Sequence, residues 1–163
     1  MMNYNKLNTR QKQVYAAACL WLFCVRLKIQ HDSITKLCVH LVNMLTASSL
    51  PDWEQEGLEL EIIGRGDPLP NDVEAVVPQE HIEAFSSLVE SCVEVGIVDM
   101  YGESTEQPGN FLEKCVNMLE LAGVSVPNPE IVAKYKIGND PWGDPISESE
   151  LNEALNAYGV ILS

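Results

Sequence analysis

Apolar residues recur every three or four positions along most of the chain, the repeat of helices with one buried face. A first helix is expected over about residues 9–29, capped by Asn8 or Thr9. Its middle, "VYAAACLWLFCV", is apolar on every side, as in a central helix covered all round. A second helix follows "HDSITKLCVHLVNML", with Asp32 or Ser33 as cap and Ile34, Leu37, Cys38, Leu41 and Leu45 as its stripe. "SSLP" ends it, since proline cannot continue the ladder. The short link between these two helices implies an antiparallel hairpin.

A third helix spans roughly 79–95, with Ile82, Phe85, Leu88, Val89 and Cys92 on one face. A fourth starts near Asn110, where Asn110 and Glu113 have capping-box spacing, and continues through Leu112, Cys115, Val116 and Leu119. A short turn is expected at "NPE", with Asn128 as cap and Pro129 first in the helix. The last helix is the best specified: Ser147 and Glu150 form a capping box, and Ile146 is placed to staple onto Leu151. Gly96, Gly123 and Gly159 each stand where a left-handed residue would close a helix, and an apolar residue follows each.

Residues 51–78 break this pattern with four prolines and three glycines. Within them "LELEII" alternates Leu58, Leu60 and Ile62 against Glu59 and Glu61, the period of a half-buried strand. "VEAVV", residues 73–77, would pair with it as a small β-hairpin; the alternative is an irregular segment rich in proline and glycine. "VNML", "IG" and "GDP" each occur twice in the same order, an echo that two degenerate helical-pair repeats would explain. The expected fold is therefore mainly α. It is a single domain, residues 1–163, of about five helices in antiparallel pairs.

Charge adds a division that the helical pattern does not show. Of the net −14, residues 1–50 contribute +5 and residues 51–163 contribute −19. A basic helical hairpin is expected to pack on an acidic remainder. Such an acidic field repels nucleic acid and anionic membranes and speeds encounter with a basic protein. The longest apolar run falls short of the roughly 18 residues of a membrane span, and no cleavage site follows it. Five cysteines, an odd number without CxxC spacing, read as buried free thiols of a cytoplasmic protein.

Candidate chemistry is sparse. His31, His40 and His81 form no metal motif with the cysteines, and Cys38 and His40 point to different faces of one helix. GxSxG is absent. Carboxylates spaced one turn apart, such as Glu90 and Glu94, are expected by chance among 24 acids. "IIGRGDPLPND" holds an RGD tripeptide and the start of a GxGxxG, but Leu69 stands in the third glycine's place. It reads as a turn within a contact surface. Trp53 and Trp142 lie in loops ringed by Asp52, Glu54, Asp140 and Asp144. Each either anchors its loop or presents an aromatic hot spot. The expected partner-binding set is Asp52, Trp53, Glu54, Asp67, Asp140, Trp142 and Asp144, with no cofactor and no metal. The expected function is a non-enzymatic acidic module that neutralises or escorts a basic protein, as an immunity protein does a toxin. The alternatives are a small enzyme using a carboxylate or His81 beside residues 51–78, and a structural subunit of a larger assembly.

Overall fold

The computed structural model describes residues 4–162, and the protein is mainly helical. Among the described residues, eight α-helices run in the order α1 (Thr9–Leu27), α2 (Asp32–Val42), α3 (Leu50–Gly57), α4 (Asn71–Glu74), α5 (Ile82–Ile97), α6 (Gln107–Leu121), α7 (Glu130–Ala133) and α8 (Glu148–Tyr158). Short 3-10 turns follow α2 (Asn43–Leu45) and precede α5 (Gln79–His81). No helix among the described residues is long and apolar enough to cross a membrane.

Helix α1 is the central post. Residues 13–20 are buried on all sides, and α2, α5, α6 and α7 pack around them. Tyr15, Leu20 and Phe23 of α1 meet Leu37, Leu41, Phe85, Leu88, Leu112 and Leu119 in one core. Each such side chain contributes about 1.5–3 kcal/mol on leaving water. The five thiols share this core: Cys19, Cys38, Cys92 and Cys115 are fully enclosed, Cys24 nearly so, and all are unpaired. Burial pushes the Cys24 thiol up to about 12. Burial also raises Cys92 well above its ordinary value, and its hydrogen bond with Cys115 adds to this.

The first turns of α1 are polar instead, and they tie in the loops. Asn8 caps the helix in a reciprocal box with Gln11. The buried Arg10 side chain donates to the carbonyls of Met44, Ala47 and Gly143. Gln11 donates to Val132 O at 3.0 Å, Gln13 to Cys92 O at 2.8 Å, and Tyr15 to Pro127 O at 2.6 Å. In return, the carbonyls of Pro141 and Trp142 accept the free backbone N–H groups of Thr9 and Arg10.

Several local expectations are corrected. No strand occurs among the described residues. Pro51 does not end a helix but sits in the first turn of α3, where Ser49 supplies the cap. The backbone of residues 58–60 then winds on in turns, with Leu58 N–H bonded to Gln55 O. Leu58 faces solvent although Ile62 is buried, so three alternations did not make a buried strand face. Val73 belongs to α4 and pairs with no strand. Helix α6 begins three residues before Asn110, because Pro108 suits a first turn and Thr105 Oγ1 accepts the Gln107 N–H. Gly96 closes nothing: α5 runs through it to Ile97. A β-carbon there would lie 2.3 Å from Gln13 Oε1 and 3.0 Å from the Trp53 ring, so glycine permits the close approach of α1. Gly123 and Gly159 do close α6 and α8 at positive φ. The Ser147–Glu150 box is formed.

Candidate functional site

Of the seven expected contact residues, four are exposed: Asp52, Asp67, Asp140 and Asp144. Trp53 is 3% exposed and closed off from any partner. Its indole N–H donates to His40 O at 2.7 Å, and its ring stacks on the His40 imidazole at 4.7 Å between centroids. It anchors α3 to α2. Burial there holds His40 down to about 4, and the Arg65 charge adds to this. Trp142 is half-buried against the core. Its loop is bent by Asp140, whose Oδ1 accepts the Trp142 and Gly143 N–H groups at 2.8 Å each. That loop serves the start of α1. No hydrogen bond among the described residues joins it to residues 52–54.

Glu54 is also inside, 5% exposed. Arg65 Nη2 lies 2.7 Å from its Oε2, and Tyr101 and Gln55 donate to its Oε1 at 3.0 and 3.2 Å. Burial pushes this carboxyl up, but its donors, Arg65 foremost, outweigh burial and leave it below the ordinary carboxylate value. The arginine of the RGD tripeptide is thus folded onto α3 rather than presented. Two more links hold the following segment. Ser33 donates to Glu61 at 2.6 Å, and His31 Nε2 meets Asp72 Oδ2 at 3.1 Å. His31 also caps α2 through Nδ1, a role that sequence reasoning gave to Asp32 or Ser33. His81 lies half-buried in the 3-10 turn before α5.

The outer face of this segment is uniform in charge. Between Asp52 and Glu83, nine carboxylates are exposed, and Arg65, the one Lys or Arg present, is committed to Glu54. The N-terminal bases do not neutralise them. Lys6 pairs with Glu130 and Arg10 is spent on carbonyls, while Arg26, Lys28 and Lys36 are exposed without an ion pair among the described residues.

Beside the segment opens a cleft of about 380 Å³. Gly64 and Gly66 form one lip, Ser87, Glu90, Ser91 and Glu94 of α5 the floor, and Phe111, Lys114 and Met118 of α6 the far wall. Gly64 has φ +73°, and a β-carbon there would lie 2.5 Å from Val93 Cγ2, so the bare backbone rests directly on α5. Lys114 Nζ lies 4.8 Å from the centre of the Phe111 ring. Sequence reasoning saw the Glu90–Glu94 spacing but not the cleft. The signal was the doubled repeat, serines at 87 and 91 and glutamates at 90 and 94, which places four polar groups on neighbouring strips of one helix. Among the described residues, no three His, Cys, Asp or Glu side chains gather as a metal site.

No protein-family model matches the chain, and comparison with curated proteins and with solved structures finds no match.

Proposed function

We propose that the chain is a non-enzymatic acidic module that binds a basic protein, using the outer face of residues 52–83. The observation that carries this reading is the set of nine exposed carboxylates there, unaccompanied by an exposed Lys or Arg. Exposed carboxylates of one sign attract a cationic surface over a distance of about 8–10 Å at moderate ionic strength. They raise the rate of encounter more than they deepen the final complex. The anchoring contacts beneath, Trp53 on His40 and Glu54 on Arg65, hold the charged face to the core. A role in masking the active site of a cationic toxin, as immunity proteins do, fits this reading.

The experiment compares the native chain with a variant carrying Asp52→Asn, Glu56→Gln and Glu59→Gln. Each is used to capture proteins from the native host at low and high salt. The reading expects a basic protein retained at low salt, released by salt, and bound faster by the native chain than by the variant. Retention of no basic protein, or equal association rates for both chains, would overturn it.

A further inference from the structure

A groove of about 290 Å³ opens where α1 ends and α2 begins. Its lining is mostly apolar: Trp21 and Val25 stand one turn apart on α1, and Ile29 and Ile34 follow from the connecting loop and α2. Val25 is 58% exposed there, although apolar. No carboxylate lines the groove; Asp32, exposed in the first turn of α2, lies outside the lining. His31 is in the lining but already engaged, capping α2 through Nδ1 and meeting Asp72 through Nε2. Lys28 is not engaged: it is exposed and makes no ion pair among the described residues. Lys28 is also the one residue other than glycine at positive φ among the described residues, at +59°. Glycine would take that conformation without strain, so the lysine side chain is kept there against a backbone preference. Arg26, in the last turn of α1, already complements the helix end. Lys28 lies past the helix, in the groove wall. A free cation beside an uncovered apolar surface is complementary to an anionic head on an apolar body.

We infer that this groove binds a free carboxylic acid with an unbranched apolar tail. The carboxylate pairs with the Lys28 ammonium, and the tail lies along Trp21, Val25 and Ile34. The volume is near the lower end of the roughly 300–1,000 Å³ range of small-ligand sites, which suits one small molecule. Charge points the same way. A second copy of the chain, or an acidic protein, would bring many like charges against a net −14, whereas a single anion meets chiefly the cation beside it. The inference does not depend on the acidic face of residues 52–83.

The test is amide NMR titration of the full chain with octanoate, octanol and octylamine, which share a tail and differ in head charge. Saturable shifts are expected at Val25, Lys28, Ile29 and Ile34 with octanoate. Octanol should bind about three- to fivefold more weakly, the upper range for a charge pair partly open to solvent, and octylamine more weakly still. Lys28→Gly should lose the same three- to fivefold in octanoate affinity while holding or raising the thermal midpoint, because glycine relieves the backbone. A purely structural lysine would move the midpoint and not the affinity. Lys28→Arg should retain binding, and Lys136→Gln, the same loss of charge outside the groove, should leave it unchanged. No saturable shifts at these amides, equal affinity for octanoate and octylamine, or native affinity in Lys28→Gly overturns the proposal. So does sedimentation showing a dimer that Val25→Glu disperses, which assigns the groove to a second copy, or co-sedimentation of the chain with anionic phospholipid vesicles through Lys28 and Val25, which assigns it to a membrane surface. Because the acidic-face variant retains the whole groove, its octanoate affinity should match the native chain's even if no basic protein partner exists.

Discussion

Replacing Arg65 by methionine probes the pair that ties the 64–66 loop to α3. The change keeps an unbranched stem and removes the charge. Glu54, 5% exposed, is then left with the Tyr101 hydroxyl and the Gln55 amide as donors. Removing one member of a fully buried pair costs roughly 3–5 kcal/mol. The Arg65 side chain is 27% exposed, so solvent screens part of the interaction. We expect a loss of about 1.5–3 kcal/mol at pH 7. The pH dependence gives a sharper check. In the native chain the folded Glu54 carboxyl lies below its unfolded value, so its contribution is present above the ordinary carboxylate range and is lost as the pH falls through the folded value. In the variant, burial becomes the main influence and the folded carboxyl lies above its unfolded value. Protonation then favours the folded state, so the gap between the two proteins narrows as the pH falls from 7 toward 5. Urea denaturation at pH 7.5, 6.5 and 5.5 measures the gap, and Glu54→Gln with the double variant closes a thermodynamic cycle. A loss below about 0.5 kcal/mol at pH 7, the size of an ordinary surface change, refutes the reasoning. So does a gap that stays constant with pH.

His40, held near 4 when folded against 6.5 when free, favours the unfolded chain as it takes up protons. Stability should therefore fall as the pH drops from about 6.5 to 4, by about 1–2 kcal/mol after allowance for partial exposure. His40→Phe should flatten that part of the thermal-midpoint profile. Gly96→Ala should destabilise by about 1–3 kcal/mol through overpacking against Gln13 and Trp53, despite alanine's helix preference. Gly109→Ala, in α6 with open space around it, should instead stabilise by about 0.5–1 kcal/mol, and calorimetry of the two variants checks both signs. Ser147→Ala, which removes the α8 cap, should cost about 1 kcal/mol in urea denaturation.

What the sequence made legible follows the range of the forces involved. The centre of α1, the stripes of α2, α5 and α6, and the Ser147–Glu150 box rest on neighbours within a turn or two, and each is found where the periodicity places it. Pro51 opens α3 instead of stopping α2 because proline, which cannot continue a helix, suits the first turn of one, and the deciding group is the Ser49 hydroxyl two positions earlier. Gly96 was misread because its reason lies in Gln13, more than eighty residues away. The candidate sites divide in the same way. The charge of the 52–83 face is compositional and visible at once. The closure of Trp53 by His40, of Glu54 by Arg65, and the meeting of Gly64 with α5 are tertiary, and no local pattern encodes them.

The enclosed thiols make the molecule its own reporter. Because all five cysteines sit within one core shared by α1, α2, α5 and α6, an alkylating reagent reaches them only when that core opens. Nucleophilicity resides in the thiolate, which burial suppresses further at Cys19, Cys24, Cys38 and Cys92. Modification should therefore proceed at the frequency of opening, with no engineered probe. If the core opens as one unit, all five sites should react together, giving unmodified and fully modified chains in the mass spectrum and few in between. A ladder of one to five adducts would instead show the helices parting separately.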